Sequence, residues 1–371
     1  MNNAASGEAF QSSICKPVRT QKYIDLEQQL KQLQYHPILI FGTSSSGKSA
    51  FLQSMIYYGA QKGDKGFKIE KGPNIYPPDY ERSADFYRSF VNFYEEDAIK
   101  GRGDGRYPNH TQSDHYFIPV ELEPTDDELM IQRFAFLEGN GELLHPRSGS
   151  ADDGVGQYPC LTELTLDLIK NYDGPLSLLF VAPTEIKGAM SLSVDRKTSC
   201  LCLADAMRQY FSNRPEDLQY RDNLCLLVTK WDTVCRKYTG KNQDRHVIFK
   251  DLITVDHPEV LQHVESWADV WVNFSNKPNF RGDRVLMPYS SGVDIDGHIE
   301  LDHFQQPEFD YFNRTMWNWL YGNATANYNR GVSPIRKILC PDTELFDPHS
   351  DTWLEYHSIK LVATKLFQQE K

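Results

Sequence analysis

Eight consecutive residues have the types and spacing of a phosphate-binding loop. Residues 42 to 49 read Gly-Thr-Ser-Ser-Ser-Gly-Lys-Ser, which fits the pattern G-x-x-x-x-G-K-[ST]. In such a loop the backbone N–H groups point at phosphate oxygens, and the helix that follows adds the positive end of its dipole. Lys48 would neutralise the β- and γ-phosphates, and Ser49 would give Mg²⁺ a hydroxyl ligand. The alternative is a flexible, serine-rich turn. The expected phosphate contacts are Gly42, Ser44, Ser45, Ser46, Gly47, Lys48, Ser49 and Ala50.

The segments on either side of this loop favour the nucleotide interpretation. Residues 37 to 41 are a short apolar run, as expected for a buried parallel strand, and residues 49 to 58 have a helical pattern. Tyr23, Leu26, Leu30 and Leu33 predict an amphipathic helix that ends near Pro37. The sequence therefore predicts a strand, a phosphate loop and a helix in succession.

A second stretch, residues 224 to 232, suggests which base is bound. An apolar run ends in Thr229-Lys230-Trp231-Asp232. A carboxylate just past a strand end can accept hydrogen bonds from the N1–H and the exocyclic amine of guanine, and adenine has no such donor pair. Lys230 could lay its stem over the base, and Thr229 could connect this loop to the phosphate loop. The alternative is an ordinary strand end with solvated charges.

Thr229-Lys230-x-Asp232 resembles the [NT]-K-x-D guanine-specificity motif of the translation-factor-related (TRAFAC-class) and Ras-like GTPases. In that family the motif follows the penultimate strand, and the last strand ends in an S-A-[KL] loop whose backbone N–H contacts guanine O6. The chain has Pro288-Tyr289-Ser290-Ser291-Gly292 at the similar place. The resemblance covers residues 36 to 293. It implies GTP or GDP with Mg²⁺ as cofactors, with Ser290 and Ser291 at the base.

The resemblance also implies two switch segments that sense the γ-phosphate. Thr111 stands where the family has a Mg²⁺-coordinating threonine, although an ordinary surface loop residue is the alternative. Residues 138 to 142, Glu-Gly-Asn-Gly-Glu, are similar to D-x-x-G-Q. Glu138 would replace the aspartate, and Gly141 would be the glycine near the γ-phosphate. The metal set implied in this way is Ser49, Thr111 and Glu138.

Two departures from the family pattern concern hydrolysis. Glutamate at 138 lengthens the arm toward Mg²⁺ by one methylene. Glu142 stands where the family often has a glutamine, so the neutral amide that positions the nucleophile is missing. Arg102 and Arg106 precede Thr111 and could act as an arginine finger, but a solvated charge is the favoured interpretation. We expect slow hydrolysis, or hydrolysis with groups from a partner. The candidate catalytic residues are Lys48, Gly141, Glu142 and Arg106.

Alternating apolar runs and helical patterns predict an α/β fold. The runs are residues 176 to 182, 224 to 228 and 285 to 287, and the preceding helices are 160 to 171, 200 to 213 and 257 to 270. Residues 115 to 122 and 130 to 137 predict an antiparallel pair, in which Pro119 favours an edge strand. The expected fold is a P-loop NTPase three-layer sandwich, with a mostly parallel sheet, one antiparallel edge strand, helical insertions and a C-terminal extension.

The predicted organisation has three parts. Residues 1 to 35 are a tail and an amphipathic helix, 36 to 300 a GTPase-like domain with an insertion at about 60 to 110, and 301 to 371 a helical extension that includes a helix at 309 to 321. The insertion exceeds a minimal Ras-like domain. Such inserted domains are similar to the double-GTPase families of bacterial conflict systems, but no residue secures that assignment.

Composition limits the partners. The 371 residues carry 51 acidic and 39 basic side chains, a net charge of −12, so neither nucleic acid nor an anionic membrane surface is an expected partner. No apolar run is long enough to span a membrane, and the seven cysteines suggest no disulfide framework. We expect a soluble, cytoplasmic protein with a protein effector or activator, and a nucleotide-dependent dimer is an option.

Three functions remain open at this point. The first is a GTPase switch, in which hydrolysis releases Thr111 and Gly141. The second is a pseudo-GTPase that binds GTP or GDP without turnover, which Glu138 and Glu142 motivate. The third is another P-loop enzyme, such as a nucleotide kinase or ATPase. It would need an acidic residue after a strand, and residues 178 to 185 offer only Glu185.

Overall fold

The structure is a computed structural model that describes residues 21–43, 46–61, 66–75, 115–125, 129–139, 161–183, 196–219, 221–230, 284–291, 293–295, 298–300 and 306–330. The helices are α1 (Gln21–Gln32), α2 (Lys48–Ala60), α3 (Glu163–Asn171), α4 (Arg196–Asn213), α5 (Glu216–Gln219) and α6 (Gln306–Arg330). The strands are β1 (Tyr35–Phe41), β2 (Phe67–Lys71), β3 (His115–Pro124), β4 (Gln132–Gly139), β5 (Ser177–Pro183), β6 (Asn223–Thr229), β7 (Arg284–Pro288), β8 (Val293–Ile295) and β9 (His298–Glu300).

Seven of the described strands form one mixed sheet in the order β2-β3-β4-β1-β5-β6-β7. From β4 to β7 all neighbours are parallel, while β3 runs antiparallel to both β4 and β2. All side chains of β1, β5 and β6 are buried, and the sequences of β5 and β6 are nearly continuous apolar runs. This pattern is typical of parallel strands covered by helices on both faces. The predicted fold class is confirmed.

At the antiparallel end of the sheet the structure describes two strands, where the sequence predicted one. The additional strand β2 lies outside β3, with Lys71 opposite Val120 as the last pair of its ladder. Pro119 accepts a hydrogen bond from the Gly72 N–H at the place where β2 ends, so its missing N–H breaks no pair within that ladder. Among the described strands, the part of β3 before Pro119 pairs with β4 alone, whereas the part from Val120 onward lies beside β2.

Five of the six described helices form two groups around the sheet. Helices α1, α3 and α4 are neighbours, and they contact β1 and β5, whereas α2 and α6 contact each other, β2 and β4. Trp317 of α6 is fully buried, and its ring lies about 6 Å from those of Phe67, Phe134 and Phe136. Its indole N–H donates to the Met55 carbonyl of α2. Large aromatic surfaces thus hold α6 against both the sheet and α2.

Some sequence predictions fall outside the described residues. The predicted helix at 257 to 270 is one of them. The domain boundaries at 36 and 300 also remain predictions. Within the described part of the chain, α1 and α6 contribute to the same hydrophobic core as the sheet.

A buried ion pair lies at the amino-terminal edge of β5 and β6. The Arg214 guanidinium binds both carboxylate oxygens of Asp222, at 2.7 and 2.9 Å, and both side chains are completely buried. The carboxylate also accepts from Tyr210 Oη at 2.7 Å and from the Leu176 N–H at 2.8 Å. The guanidinium donates to three further backbone carbonyls, those of Ile169, Tyr172 and Gly174. This network connects α3, α4 and the starts of β5 and β6.

His36 of β1 makes the stability of the fold depend on pH. Its Nε2 lies 2.8 Å from Ser177 Oγ, and burial lowers the pKa of the imidazole from 6.5 to about 4. The unfolded chain takes up the proton first as the pH falls. Neutral His36 therefore makes its full contribution to the free energy of unfolding above pH 6.5. This contribution, about 3 kcal/mol, is lost as the pH falls from 6.5 through about 4.

We expect His36→Gln to remove this part of the acid sensitivity. Between pH 7 and pH 4.5, the free energy of unfolding of the wild type should fall by roughly 2 kcal/mol more than that of the variant. Urea denaturation at the two pH values measures the difference. Equal losses in the two proteins would show that His36 does not titrate in this way.

Candidate nucleotide-binding site

The predicted phosphate and base loops lie at the same edge of the sheet. Strands β1, β4, β5, β6 and β7 are parallel, so their carboxyl ends share one edge. In this register Ile40 is opposite Glu138, Pro183 is opposite Thr229, and Val228 is opposite Pro288. Open parallel sheets bind ligands at this edge, outside the carboxyl ends of the strands.

The ends of the phosphate loop are shaped by two glycines. A Cβ on Gly42 would lie 2.6 Å from Ser46 Oγ and 3.1 Å from the Val181 carbonyl oxygen, so a larger residue would displace the Ser46 side chain and press on β5. Gly47 has φ of +95°, in the left-handed region, immediately before α2 begins at Lys48. The Ser46 N–H donates to the Thr43 carbonyl at 3.2 Å. The loop therefore turns tightly onto the N-terminus of α2.

Lys48 lies across the loop that precedes it. Its ammonium donates to the carbonyls of Gly42 at 2.9 Å and Thr43 at 3.1 Å, and the residue is buried. The positive charge is thereby held beside the N–H groups at the start of α2. Charge and helix dipole act in the same direction here, and both favour an anion.

Ser46 supplies a direct indication of a polar ligand. Its Oγ is buried and has no hydrogen-bond partner among the residues that the structure describes. A buried hydroxyl without a partner is uncommon, because leaving it unsatisfied costs about 1 to 3 kcal/mol. The hydroxyl, the Lys48 ammonium and the helix N-terminus together fit the oxygens of a phosphate group.

Thr229 connects the predicted base loop to the phosphate loop. Its hydroxyl is buried and donates to the Ser46 carbonyl at 2.5 Å, and it also lies 3.4 Å from the Ala182 carbonyl oxygen. This is the contact that the sequence suggested for Thr229. The next residue, Lys230, has φ of +58°, which is unusual for a residue other than glycine and is often found at functional sites.

The loop after β7 is fixed by Tyr289. The Tyr289 N–H donates to the Val228 carbonyl at 2.8 Å, so the chain leaving β7 stays beside the end of β6. The neighbouring Ser290 is buried, and Ser291 is partly exposed at the same edge. Tyr289 lies within the segment 288 to 292 that resembles the guanine O6 loop, but the sequence predicted no role for it, because its contacts are with distant segments.

No protein-family model matches the sequence, and a search of curated proteins gave no match. Several solved structures are similar. The signal recognition particle receptor SRb-GTP/SRX complex from Chaetomium thermophilum matches at 12% identity and a TM-score of 0.34, over 75% of this chain and 97% of that one. Toc33 from Arabidopsis thaliana in complex with Mg²⁺ and GMPPNP matches at 11% and 0.34, over 82% and 92% of the two chains. A bacterial dynamin pair matches at 11% and 0.30, over 94% and 55%. Assignment of the site rests on its own residues.

Several predicted site residues lie outside the described residues. They are Ser44, Ser45, Arg106, Thr111, Gly141, Glu142 and Asp232. For Glu138 the structure gives the backbone position at the end of β4, beside Ile40, but not the side chain. The roles that the resemblance implies for these residues therefore stay predictions.

The described residues contain no group of three or more His, Cys, Asp or Glu side chains that could hold a metal ion. A magnesium ion at a phosphate loop does not require such a group, since it is usually held by one or two protein oxygens, by waters and by phosphate. Ser49, in the first turn of α2 next to Lys48, has the right chemistry for one of those ligands. Within the described ranges, no helix is long and apolar enough to cross a membrane.

Proposed function

We propose that this chain binds GTP and GDP with Mg²⁺ and acts as a slowly hydrolysing conformational switch that regulates a partner protein. The observation that supports it most is the hydrogen bond from Thr229 Oγ1 to the Ser46 carbonyl. It joins the loop with the guanine-type sequence to the loop with the phosphate-type sequence. Two motifs that are 183 residues apart in the chain meet in one buried contact.

The phosphate part of the proposal depends on charge and on N–H groups. Lys48 would hold β- and γ-phosphate oxygens with charge-assisted hydrogen bonds, which are about twice as strong as neutral ones. The Ser46 hydroxyl, which has no partner within the described part of the chain, would gain one from the phosphate. Bound Mg²⁺ would neutralise phosphate charge, and Ser49 would be its protein ligand next to the loop, with Thr111 and Glu138 as the proposed further residues.

The base part of the proposal depends on Asp232, Lys230 and the loop after β7. The left-handed backbone of Lys230 and the hydrogen-bonded Thr229 fix the exit from β6, two residues before Asp232. The carboxylate would accept two hydrogen bonds from guanine, and adenine would leave it unpaired at a cost that produces selectivity. Ser290 and Ser291 would complete the pocket with backbone N–H groups.

Binding and turnover are tested separately. Affinities for GTP, GDP and ATP are measured by calorimetry with and without Mg²⁺, and phosphate release is then measured with a GTP excess. We expect the affinities for GTP and GDP to be much higher than the affinity for ATP, and we expect phosphate release to be slow. Equal affinity for ATP and GTP would rule out the guanine assignment. Tight GTP binding without phosphate release, even with cell extract added, would favour the pseudo-GTPase over the switch.

A further inference from the structure

We infer that Tyr289 is a positioning residue through which the C-terminal helix α6 controls how tightly the nucleotide loops hold their ligand. The inference rests on the proposed function and adds a means of regulation to it. A partner that binds or shifts α6 would change the lifetime of the bound nucleotide. Neither α6 nor Tyr289 belongs to the predicted nucleotide contacts.

Tyr289 contacts three elements at once. Its backbone N–H bonds to the Val228 carbonyl, next to Thr229, and its ring packs edge-on against Phe51 of α2 at a centroid distance of 4.9 Å. Its hydroxyl donates to Asn313 Oδ1 of α6 at 2.7 Å, and both side chains are fully buried. The ring also lies 6.0 Å from Phe312 of α6. Through its backbone and its side chain, this one residue links the end of β6, the phosphate-loop helix α2 and α6.

The link is stiff for two reasons. A buried aromatic ring has few rotamers and transmits a displacement to its neighbours, since the interior is close-packed. The hydroxyl cannot leave Asn313 without losing a buried hydrogen bond. Phe51 is the fourth residue of α2, and its N–H bonds to the Gly47 carbonyl at 2.9 Å. A shift of Tyr289 would therefore displace both the phosphate loop and Ser290.

Helix α6 has a second connection to α2, farther from the nucleotide loops. Asp310 accepts from Tyr58 Oη at 2.6 Å and pairs with Arg314, while the Trp317 indole donates to the Met55 carbonyl. These contacts would keep α6 docked when the bond between Tyr289 and Asn313 is cut. The effect of cutting that bond can then be separated from undocking of the helix.

The test is the dissociation rate of a fluorescent GDP analogue from the full chain in Mg²⁺. Tyr289→Phe removes only the hydroxyl and should speed release about five- to tenfold. Asn313→Leu cuts the same bond from the α6 side and leaves the ring on Phe51, so it should have a similar effect. Asn313→Leu also provides the test if Tyr289→Phe fails to fold. Tyr321→Phe is the matched control, because it removes a hydroxyl of α6 that donates to the Met130 carbonyl.

Melting temperatures are measured on the same samples. The inference predicts comparable losses of stability in Tyr289→Phe and Tyr321→Phe, with faster release only in the first. Unchanged release in both Tyr289→Phe and Asn313→Leu would overturn it. Equal acceleration in Tyr321→Phe would also overturn it, since the effect would then be general loosening of α6. These outcomes leave the proposed function intact, whereas a wild-type chain that binds no GDP would refute that function and the inference together.

Discussion

Replacing Lys48 with alanine is expected to weaken GTP binding by at least about 100-fold while the chain stays folded. The ammonium is buried between the start of α2 and the carbonyls of Gly42 and Thr43. No other described side chain of the phosphate loop carries a positive charge there. A hydrogen bond to a charged group contributes about 1.5 to 3 kcal/mol, so the loss of two such bonds to phosphate reaches about 100-fold or more.

Calorimetric titration with GTP measures this loss, and a thermal melt shows whether the variant is folded. Lys31→Ala is the charge-matched control. Its ammonium lies on α1 and pairs with Glu27 and Asp173 at 2.8 Å, in a partly exposed position where ion pairs contribute little. We expect its GTP affinity to match that of the wild type. Affinities that fall equally in both variants would point to net charge, and an unchanged affinity in Lys48→Ala would refute its phosphate role.

Replacing Asp222 with alanine is expected to cost about 3 to 5 kcal/mol of the free energy of unfolding, because it leaves Arg214 buried without its counter-charge. Burial raises the pKa of the Asp222 carboxyl, and the Arg214 guanidinium opposes that shift by favouring the charged form. The network lies at the edge of the sheet opposite to the phosphate loop. Its loss should therefore act on folding rather than on the site itself.

Urea denaturation measures the loss for Asp222. The control is Arg208→Ala, which breaks an ion pair with Asp205 on the same helix as Tyr210. The Arg208 side chain is 58% exposed, so this change should cost less than about 1 kcal/mol. A loss below about 1 kcal/mol in Asp222→Ala would mean that the buried pair contributes no more than an ordinary surface pair.

The features that the sequence predicted well are those with a strong local signal. Residues 176 to 182 and 224 to 228 are apolar runs that predicted buried parallel strands, and they correspond to the fully buried strands β5 and β6. The phosphate loop has a fixed spacing of residue types, and the apolar run before it and the helical pattern after it predict the neighbouring strand and helix. The contact of Thr229 with the phosphate loop could be expected because both loops follow parallel strands.

The features that the sequence did not predict depend on contacts between distant segments. Strand β2 has five residues, and its exposed Lys68 and Glu70 alternate with only two buried apolar side chains, a pattern that is common on any surface. Arg214 and Asp222 likewise have the residue types of solvated charges. Their burial follows only once α4 packs beside β5. Tyr289 acquires its importance from Phe51 and Asn313, which lie 238 residues before it and 24 residues after it.

The most direct test of guanine recognition is the ratio of XTP affinity to GTP affinity, measured for the wild type and for Asp232→Asn. An amide accepts from N1–H but donates to the carbonyl that xanthine has at the position of the guanine amine. The wild type should prefer GTP, and the variant should prefer XTP, with a change in the ratio of about 100-fold or more. Asp173→Asn, an exposed carboxylate at the surface, should leave the ratio unchanged. A ratio that is the same in Asp232→Asn and in the wild type would contradict the assignment of the base site.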